Sequence, residues 1–306
     1  MSIPKYLLCK GSQLMACLVV SAFSVSAMAQ QDFSQVTIKT TEVTPGIYML
    51  EGHGGNIGLS IGDDGVFLID DQFAPLSVKI QQAIAALTEQ PVRFLINTHW
   101  HIDHAGGNEN FGQGGAIIVA HENVRKRLEK GQFVVPFNAD IPPAPDVALP
   151  VVTFDQGITF HWNNDTLKVL HVAPAHTDGD AVIYFEDANV VHTGDLYWNG
   201  LYPVIDGSSG GSTAGMISGV ETLLERIDSD TRVIPGHGPL SNKDEMQAYL
   251  EMLKASYTRI KALKDQGMTI EQIVAAKPTA EFDEKWGAAI LNPEQWAMMV
   301  YSTLAQ

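Results

Sequence analysis

The chain has only two cysteines in 306 residues, and both, Cys9 and Cys17, fall within the first thirty. That opening stretch reads as an export signal: Lys5 and Lys10, an apolar run over Leu14 to Val25, then Ala27-Met28-Ala29, the small-x-small pattern after which a signal peptidase cuts. The run is short for a membrane span and broken by serines. Taking residues 1–29 as a cleaved signal leaves a mature chain, 30–306, with no sulfur ligand, no disulfide and no cysteine nucleophile. Its chemistry then rests on nitrogen and oxygen groups. About 277 residues bury a sufficient core without disulfides, even in the periplasmic or extracellular space to which such a signal points.

Positive charge is scarce as well. Nineteen Lys and Arg against 35 Asp and Glu give a formal charge of -16, and loss of Lys5 and Lys10 with the signal takes it to -18. Such an excess repels phosphate backbones and argues against nucleic acid as a partner. A small-molecule substrate is expected instead, with no membrane attachment after signal cleavage; the oligomeric state cannot be read. No internal repeat, low-complexity tract or Pro/Gly/Ser linker divides the chain, so one domain is expected over 30–306. An apolar content of 45% with 18% charge suits a globular protein.

Short β-branched runs bounded by Gly, Pro or Asp ("QVTIKT", "GIYMLEG", "NIGLSIG", "GVFLIDD") predict strands and hairpins through the first seventy residues. Residues 75–89 carry a helical stripe of Leu76, Ile80, Ala83, Ile84 and Leu87. "VRFLINTH" predicts a buried strand, and a helix follows near 121–130. The proline-rich "VVPFNADIPPAPDVALP" is expected as a loop flanking the site or the surface. Four further strand signals ("ITFHW", "TLKVLHV", "DAVIYFE", "NVVHTGD"), helices over 213–228 and 241–265 about the strand "TRVIPG", and a helical tail over 268–304 complete the pattern. Trp286 and Trp296 in that tail are expected as packing anchors. Two β-rich halves, each followed by helices, imply an α/β domain with paired sheets inside and helices outside.

The chemistry concentrates in "NTHWHIDHAGGN". In extended backbone, residues i and i+2 point the same way, so His99 and His101 clasp one ion together. Asp103 and His104, one step on, reach a neighbouring position, which gives ligands for two metals. His176 in "APAHTDGD" and His237 in "VIPGHGP" each follow an apolar run and sit against glycine, which lets backbone crowd an ion. Asp195 in "VVHTGDLYW" repeats that arrangement, and a carboxylate there can give one oxygen to each of two cations. Imidazole and carboxylate without thiolate suit zinc, with iron and manganese as competitors.

These motifs, "GGNIGLSIGDDGVFLIDD", "THWHIDH", "AHTDGD", "TGDL" and "GHG", resemble in type and order those of the metallo-β-lactamase superfamily along nearly the whole mature chain. The resemblance implies a four-layer αβ/βα sandwich with the metals in a cleft along one edge. It assigns His99, His101 and His176 to a first metal and Asp103, His104 and His237 to a second. Asp195 becomes the bridging carboxylate, as in glyoxalase II-like and lactonase-like members. The best-studied lactamases place cysteine or serine at that position, and those of the cysteine type often follow it with a lysine; here Leu196, Tyr197, Trp198 and Asn199 follow.

Two divalent ions about 3.5–4 Å apart share one water and lower its pKa from about 15.7 toward 7. The expectation is therefore an exported zinc hydrolase, two Zn2+ per chain, cleaving a cyclic or activated carbonyl compound (β-lactam, lactone, ester or thioester), with Asp103 orienting the nucleophile. The alternatives are a mononuclear iron sulfur dioxygenase of the same fold, and a non-catalytic periplasmic accessory protein. His53 in the "EGHGGN" turn, Trp100, Tyr197 and Trp198 are candidate substrate contacts, Tyr202 belongs to the same aromatic wall or to the core, and Trp100 lies beneath, beside or facing the cleft. His171 and His192 are expected as packed or supporting groups, and His121 and His161 as ordinary surface or strand residues.

Overall fold

The computed structural model describes residues 32–172 and 174–304, so the signal segment expected at 1–29 lies outside the described residues. Strands β1 (Lys39–Thr44), β2 (Ile47–Glu51), β3 (Ile57–Gly62) and β4 (Gly65–Ile69) form an antiparallel meander. Helix α1 (Ser77–Ala85) then leads to β5 (Val92–Ile96), which pairs parallel with β4. The single turn α2 (Ile102–Ala105) and helix α3 (Asn108–Gln113) precede β6 (Ile117–His121) and α4 (Glu122–Lys130). A two-stranded ribbon of β7 (Gln132–Val134) and β8 (Ala139–Ile141) stands apart, and β9 (Val152–Phe154) closes a seven-stranded sheet.

The second sheet has five strands: β10 (Gly157–Trp162), β11 (Asp165–His171), β12 (Ala181–Phe185), β13 (Val190–His192) and β14 (Arg232–Ile234). Between the last two runs α5 (Thr213–Arg226), and beyond them lie α6 (Lys243–Asp265), α7 (Ile270–Ala275), α8 (Asp283–Trp286) and α9 (Pro293–Thr303).

Side-chain alternation builds the layers. On β4, Phe67 and Ile69 face the other sheet while Leu68 faces outward, because successive strand residues point to opposite faces. Ile183 and Phe185 of β12 meet them from the second sheet, and Val182 points the other way. The outer face of the first sheet is covered by Leu76, Ile80 and Ile84, and that of the second by Val220, Leu223, Leu253 and Trp296. The result is helix, sheet, sheet, helix. Trp286 and Trp296 are buried in the helical layer, and Trp296 stacks on Tyr202 at 5.2 Å and donates Nε1–H to Ser256 Oγ at 3.0 Å.

One sequence expectation changes, and another is narrowed to one of its alternatives. The proline-rich segment, expected as a loop, instead carries the end of β7 and all of β8, and leads directly into β9, the last strand of the first sheet. His121, expected as a surface or strand residue, is the last residue of strand β6 and not a surface one. It is buried, its Nδ1 accepts the Asn123 amide to cap α4, its Nε2 donates to Asp155 O, and its ring stacks on His171 at 3.9 Å.

Candidate metal centre

The ligand-type residues follow the carboxyl ends of β5, β11, β13 and β14, where rigid strands give way to loops. His101 is extended (φ -64°, ψ 148°) and caps α2, so the backbone switches from strand-like at His99 and His101 to helical at Asp103 and His104. That switch splits four neighbouring side chains between two clusters. His99 Nε2 and His176 Nε2 lie 3.1 and 2.9 Å from His101 Nδ1. In the other cluster His104 Nε2 lies 3.3 Å from His237 Nε2, and Asp103 Oδ2 lies 3.3 Å from His237 Nε2. Asp195 stands between them. Its Oδ1 is 3.0 Å from His104 Nε2 and 3.5 Å from His237 Nε2, while its Oδ2 is 3.4 Å from His176 Nε2 and 3.8 Å from His99 Nε2.

The outward-facing nitrogens fix what these atoms are. His176 Nδ1 donates to Val204 O at 2.7 Å and His101 Nε2 donates to Asp206 Oδ2 at 3.0 Å. The Thr98 hydroxyl gives its hydrogen to Asp70 Oδ2, so it accepts from His99 Nδ1 at 3.1 Å. His104 Nδ1 donates to the same Asp70 oxygen at 2.7 Å. With these protons spent outward, His99 Nε2, His101 Nδ1 and His176 Nε2 turn three lone pairs on one point, and His104 Nε2 turns another toward the second cluster. Buried lone pairs about 3 Å apart repel unless an electrophile sits among them. The edge of a tetrahedron of nitrogens at zinc distance is roughly 3.3 Å. Asp195 Oδ1 is buried and makes no hydrogen bond among the described residues, as an oxygen reserved for a cation would be. The donor set fits two divalent ions, one per cluster, with Asp195 shared.

Electrostatics agree. Burial holds His99 and His176 below the ordinary imidazole value, so they stay neutral ligands. Burial alone would raise the Asp195 carboxyl, but His104, His237, His99 and His176 hold it well below the carboxylate range. Burial opposes protonation of His237, yet Asp195 and Asp103 carry it up to about 9, and the same acids with Asp70 lift His104. A bound cation displaces those protons.

Supporting residues that sequence reasoning missed surround the ligands. Asp70 accepts from Thr98 N and Thr98 Oγ1 as well as His104, and Asp206 also accepts from Ser208 and Ser209. Asp180 accepts from the amides of His176 and Thr177 and fixes the His176 loop. Of the expected supports, His192 bonds Asn56 O through Nε2 and accepts Gly194 N through Nδ1. Gly194 has φ +49°, and a Cβ there would meet Thr98 Cβ at 2.6 Å, so the turn carrying Asp195 admits only glycine.

The candidate substrate contacts divide. Tyr197 is fully buried, with its hydroxyl on Ser241 and its ring against Tyr249, so it is core and offers a substrate nothing. Trp198 is buried against His237 at 4.0 Å with Nε1–H on Asp195 O, and Trp100 is buried with Nε1–H on Ser209 Oγ; both are supports, not walls. Tyr202 is likewise core. His53 is exposed on the glycine turn beside Phe33 and Phe73.

A family model described as the metallo-beta-lactamase superfamily matches residues 50–241. Among curated proteins the chain is similar to the hydroxyacylglutathione hydrolase of Pelagibacter ubique, with 28% identity over 148 residues covering 48% of this chain and 52% of that enzyme. The corresponding enzyme of Methylococcus capsulatus is 26% identical over 245 residues, covering 76% and 84%. The chain thus spans about half the length of the first of these relatives. A metallo-beta-lactamase from Pontibacter korlensis shares the fold, with a TM-score of 0.60 at 20% identity over 71% of this chain and 99% of that one. Together with the layered sheets and the strand-end cluster of imidazoles and carboxylates, the family match shows that the chain belongs to the metallo-beta-lactamase superfamily.

Proposed function

We propose that the protein is an exported dinuclear zinc hydrolase acting on a cyclic or activated carbonyl compound, a thioester, ester, lactone or β-lactam. The observation that carries this reading is the placement of Asp195, whose two oxygens face two separate ligand clusters. Ions held there would acidify a water and polarise an acyl oxygen. The chain's own residues do the rest. His99, His101, His104, His176 and Asp195 are each no more than 4% exposed, which keeps bulk water away. Asp103 and His237, with side chains 21% and 10% exposed, form the mouth through which substrate enters. Asp103 there accepts a hydrogen bond from the attacking water and orients it toward the acyl carbon. The outward bonds to Asp70, Asp206, Thr98 and Val204 hold the imidazoles in the required tautomers.

Export supports β-lactams, whose targets lie outside the cytoplasm; an aspartate at position 195 and the hydroxyacylglutathione hydrolases among the relatives support thioesters and other acyl compounds. The test is metal analysis of the purified chain with a panel of an S-acyl glutathione, a lactone and nitrocefin. About two zinc per chain and hydrolysis abolished by chelation are expected. One iron per chain with oxygen consumption and no hydrolysis overturns the reading.

A further inference from the structure

Just beyond β4, two fully buried residues hold backbone angles that side chains rarely adopt: Asp70 at φ +61° and Gln72 at φ +56°. Aspartate visits that left-handed region more readily than glutamine does, so the conformation at 72 is kept by what surrounds it. Asp71 N donates to His104 O at 2.8 Å and Gly107 N donates to Gln72 O at 2.9 Å, which binds the bend to the turn carrying Asp103 and His104. The Gln72 side chain crosses to the bend at 52–55. There Oε1 accepts from His53 N at 3.3 Å and Gly54 N at 3.4 Å, while Nε2 donates to Gly55 O at 2.6 Å. One side-chain amide thus pairs with the bend as the peptide group of a neighbouring strand would.

That bend lies against Asp103, His104 and the loop of His237. Gly55 N donates to Asp103 O at 3.0 Å, and Asn56 N donates to Gly236 O, beside His237, at 2.7 Å. Asn56 Nδ2 donates to Pro235 O at 2.9 Å and to Gly238 O at 2.8 Å, on either side of the same histidine. A Cβ on Gly54 would come within 2.6 Å of Asp103 O, and one on Gly55 within 2.0 Å of the His104 ring, so bend and ligands touch without slack. His99, His101 and His176 are held instead by Thr98, Asp206 and Val204. Glycine would take φ +56° without strain, so the strain at Gln72 is set against the three bonds its amide makes.

We infer that Gln72 is a positioning residue for the second cluster: through the bend at 52–55 it fixes Asp103, His104 and His237 in the arrangement that holds the second ion and lets Asp103 aim the attacking water. The part about the water rests on the hydrolase reading; the part about the ion does not. Partners that support metal ligands are worth about ten- to a hundredfold in metal affinity. Gln72 is fully buried and reaches no substrate, so its loss acts on turnover through Asp103 and leaves substrate binding nearly as it was.

The test compares Gln72→Met, which keeps the length of the side chain but removes all three bonds, with Gln72→Gly, which also relieves the backbone and so guards against a failure to fold. Four readouts are taken on the zinc-loaded full chain: zinc retained against chelators of graded strength, hydrogen exchange of the amides over 52–56, the unfolding midpoint, and kcat and KM for the best substrate of the acyl panel. In both variants the second zinc is expected to be lost to a chelator roughly ten- to a hundredfold weaker, and the first to an unchanged one. Exchange over 52–56 quickens, and kcat falls by about the same factor while KM moves by less than about threefold. Retention of both ions and of kcat, with only the unfolding midpoint lowered, makes Gln72 a packing residue and overturns the inference. Equal weakening of both ions shows a general loosening and overturns it as well. Absent hydrolysis in the wild type, with the second ion and the exchange responding as stated, overturns the hydrolase reading and upholds the positioning of the second cluster.

Discussion

Gly55→Ala tests the second cluster from the side of the fold. A Cβ on Gly55 would lie 2.0 Å from His104 Cε1 and 2.3 Å from its Nε2, against an ordinary contact of 3.4–4 Å, so ring or turn must move by about 1.4 Å. Neither yields readily. His104 is held by Asp70 at 2.7 Å, while the turn is held by Gly55 N on Asp103 O at 3.0 Å and by Gln72 Nε2 on Gly55 O at 2.6 Å. Metal–ligand distances tolerate about 0.2 Å. The displacement therefore exceeds what the second ion accepts, while His99, His101 and His176 stay in place. Overpacking of this kind costs about 1–3 kcal/mol. Calorimetric titration of metal-free protein with zinc, alongside thermal unfolding, is the assay. Wild type takes up two ions; the variant keeps one tight ion, and its second is weakened by more than about a hundredfold, the upper end of what loss of a supporting partner does. Two ions of unchanged affinity in the variant would refute the placement of His104 against the glycine turn.

Asp206→Ala strips the acceptor from a buried His101 Nε2–H; about 1–3 kcal/mol of stability and ten- to a hundredfold of first-site affinity are expected to go, checked by denaturant melts and metal titration. Trp296→Ala removes a buried ring that stacks on Tyr202, at about 3–5 kcal/mol measured by chemical unfolding, with metal stoichiometry unchanged. His121 has its pKa lowered by burial and then by the stacked His171. The unfolded chain thus binds the proton more readily, and this group's contribution, present above the ordinary value of 6.5, is lost as pH falls through the window beneath it. His121→Asn, which keeps a cap for α4, should make the melting temperature less sensitive to acid than in wild type; parallel curves from pH 7 to 5 would show that His121 does not titrate there.

Much of the site was legible because the chemistry of ligation is local. A strand that ends in H-x-H and turns at once into a helical D-H places four donors in two directions, Gly-Asp and Gly-His after apolar strands mark Asp195 and His237, and "PAHTDGD" after another marks His176. The supports were not legible, since they arrive from far along the chain: Asp70 is 34 residues from His104, and Asp206 is 105 from His101. Only "LIDD" and "VIDGSS", acids at the ends of apolar runs, hint at them. Tyr197 and Trp198 misled because aromatics in a glycine-rich loop suit a substrate wall as well as a core, and burial of their large apolar area decided for the core. The β7–β8 ribbon escaped because three-residue strands among prolines carry too little alternation to register.

The central claim is that two convergent sets of donors share the Asp195 carboxylate. Anomalous diffraction at the zinc edge from crystals of the zinc-loaded chain tests it most directly. Two peaks are expected, one at about 2.0–2.1 Å from His99 Nε2, His101 Nδ1 and His176 Nε2, the other at such distances from Asp103, His104 and His237, with one Asp195 oxygen on each. A single peak, or two peaks with Asp195 bound to neither, would contradict the account.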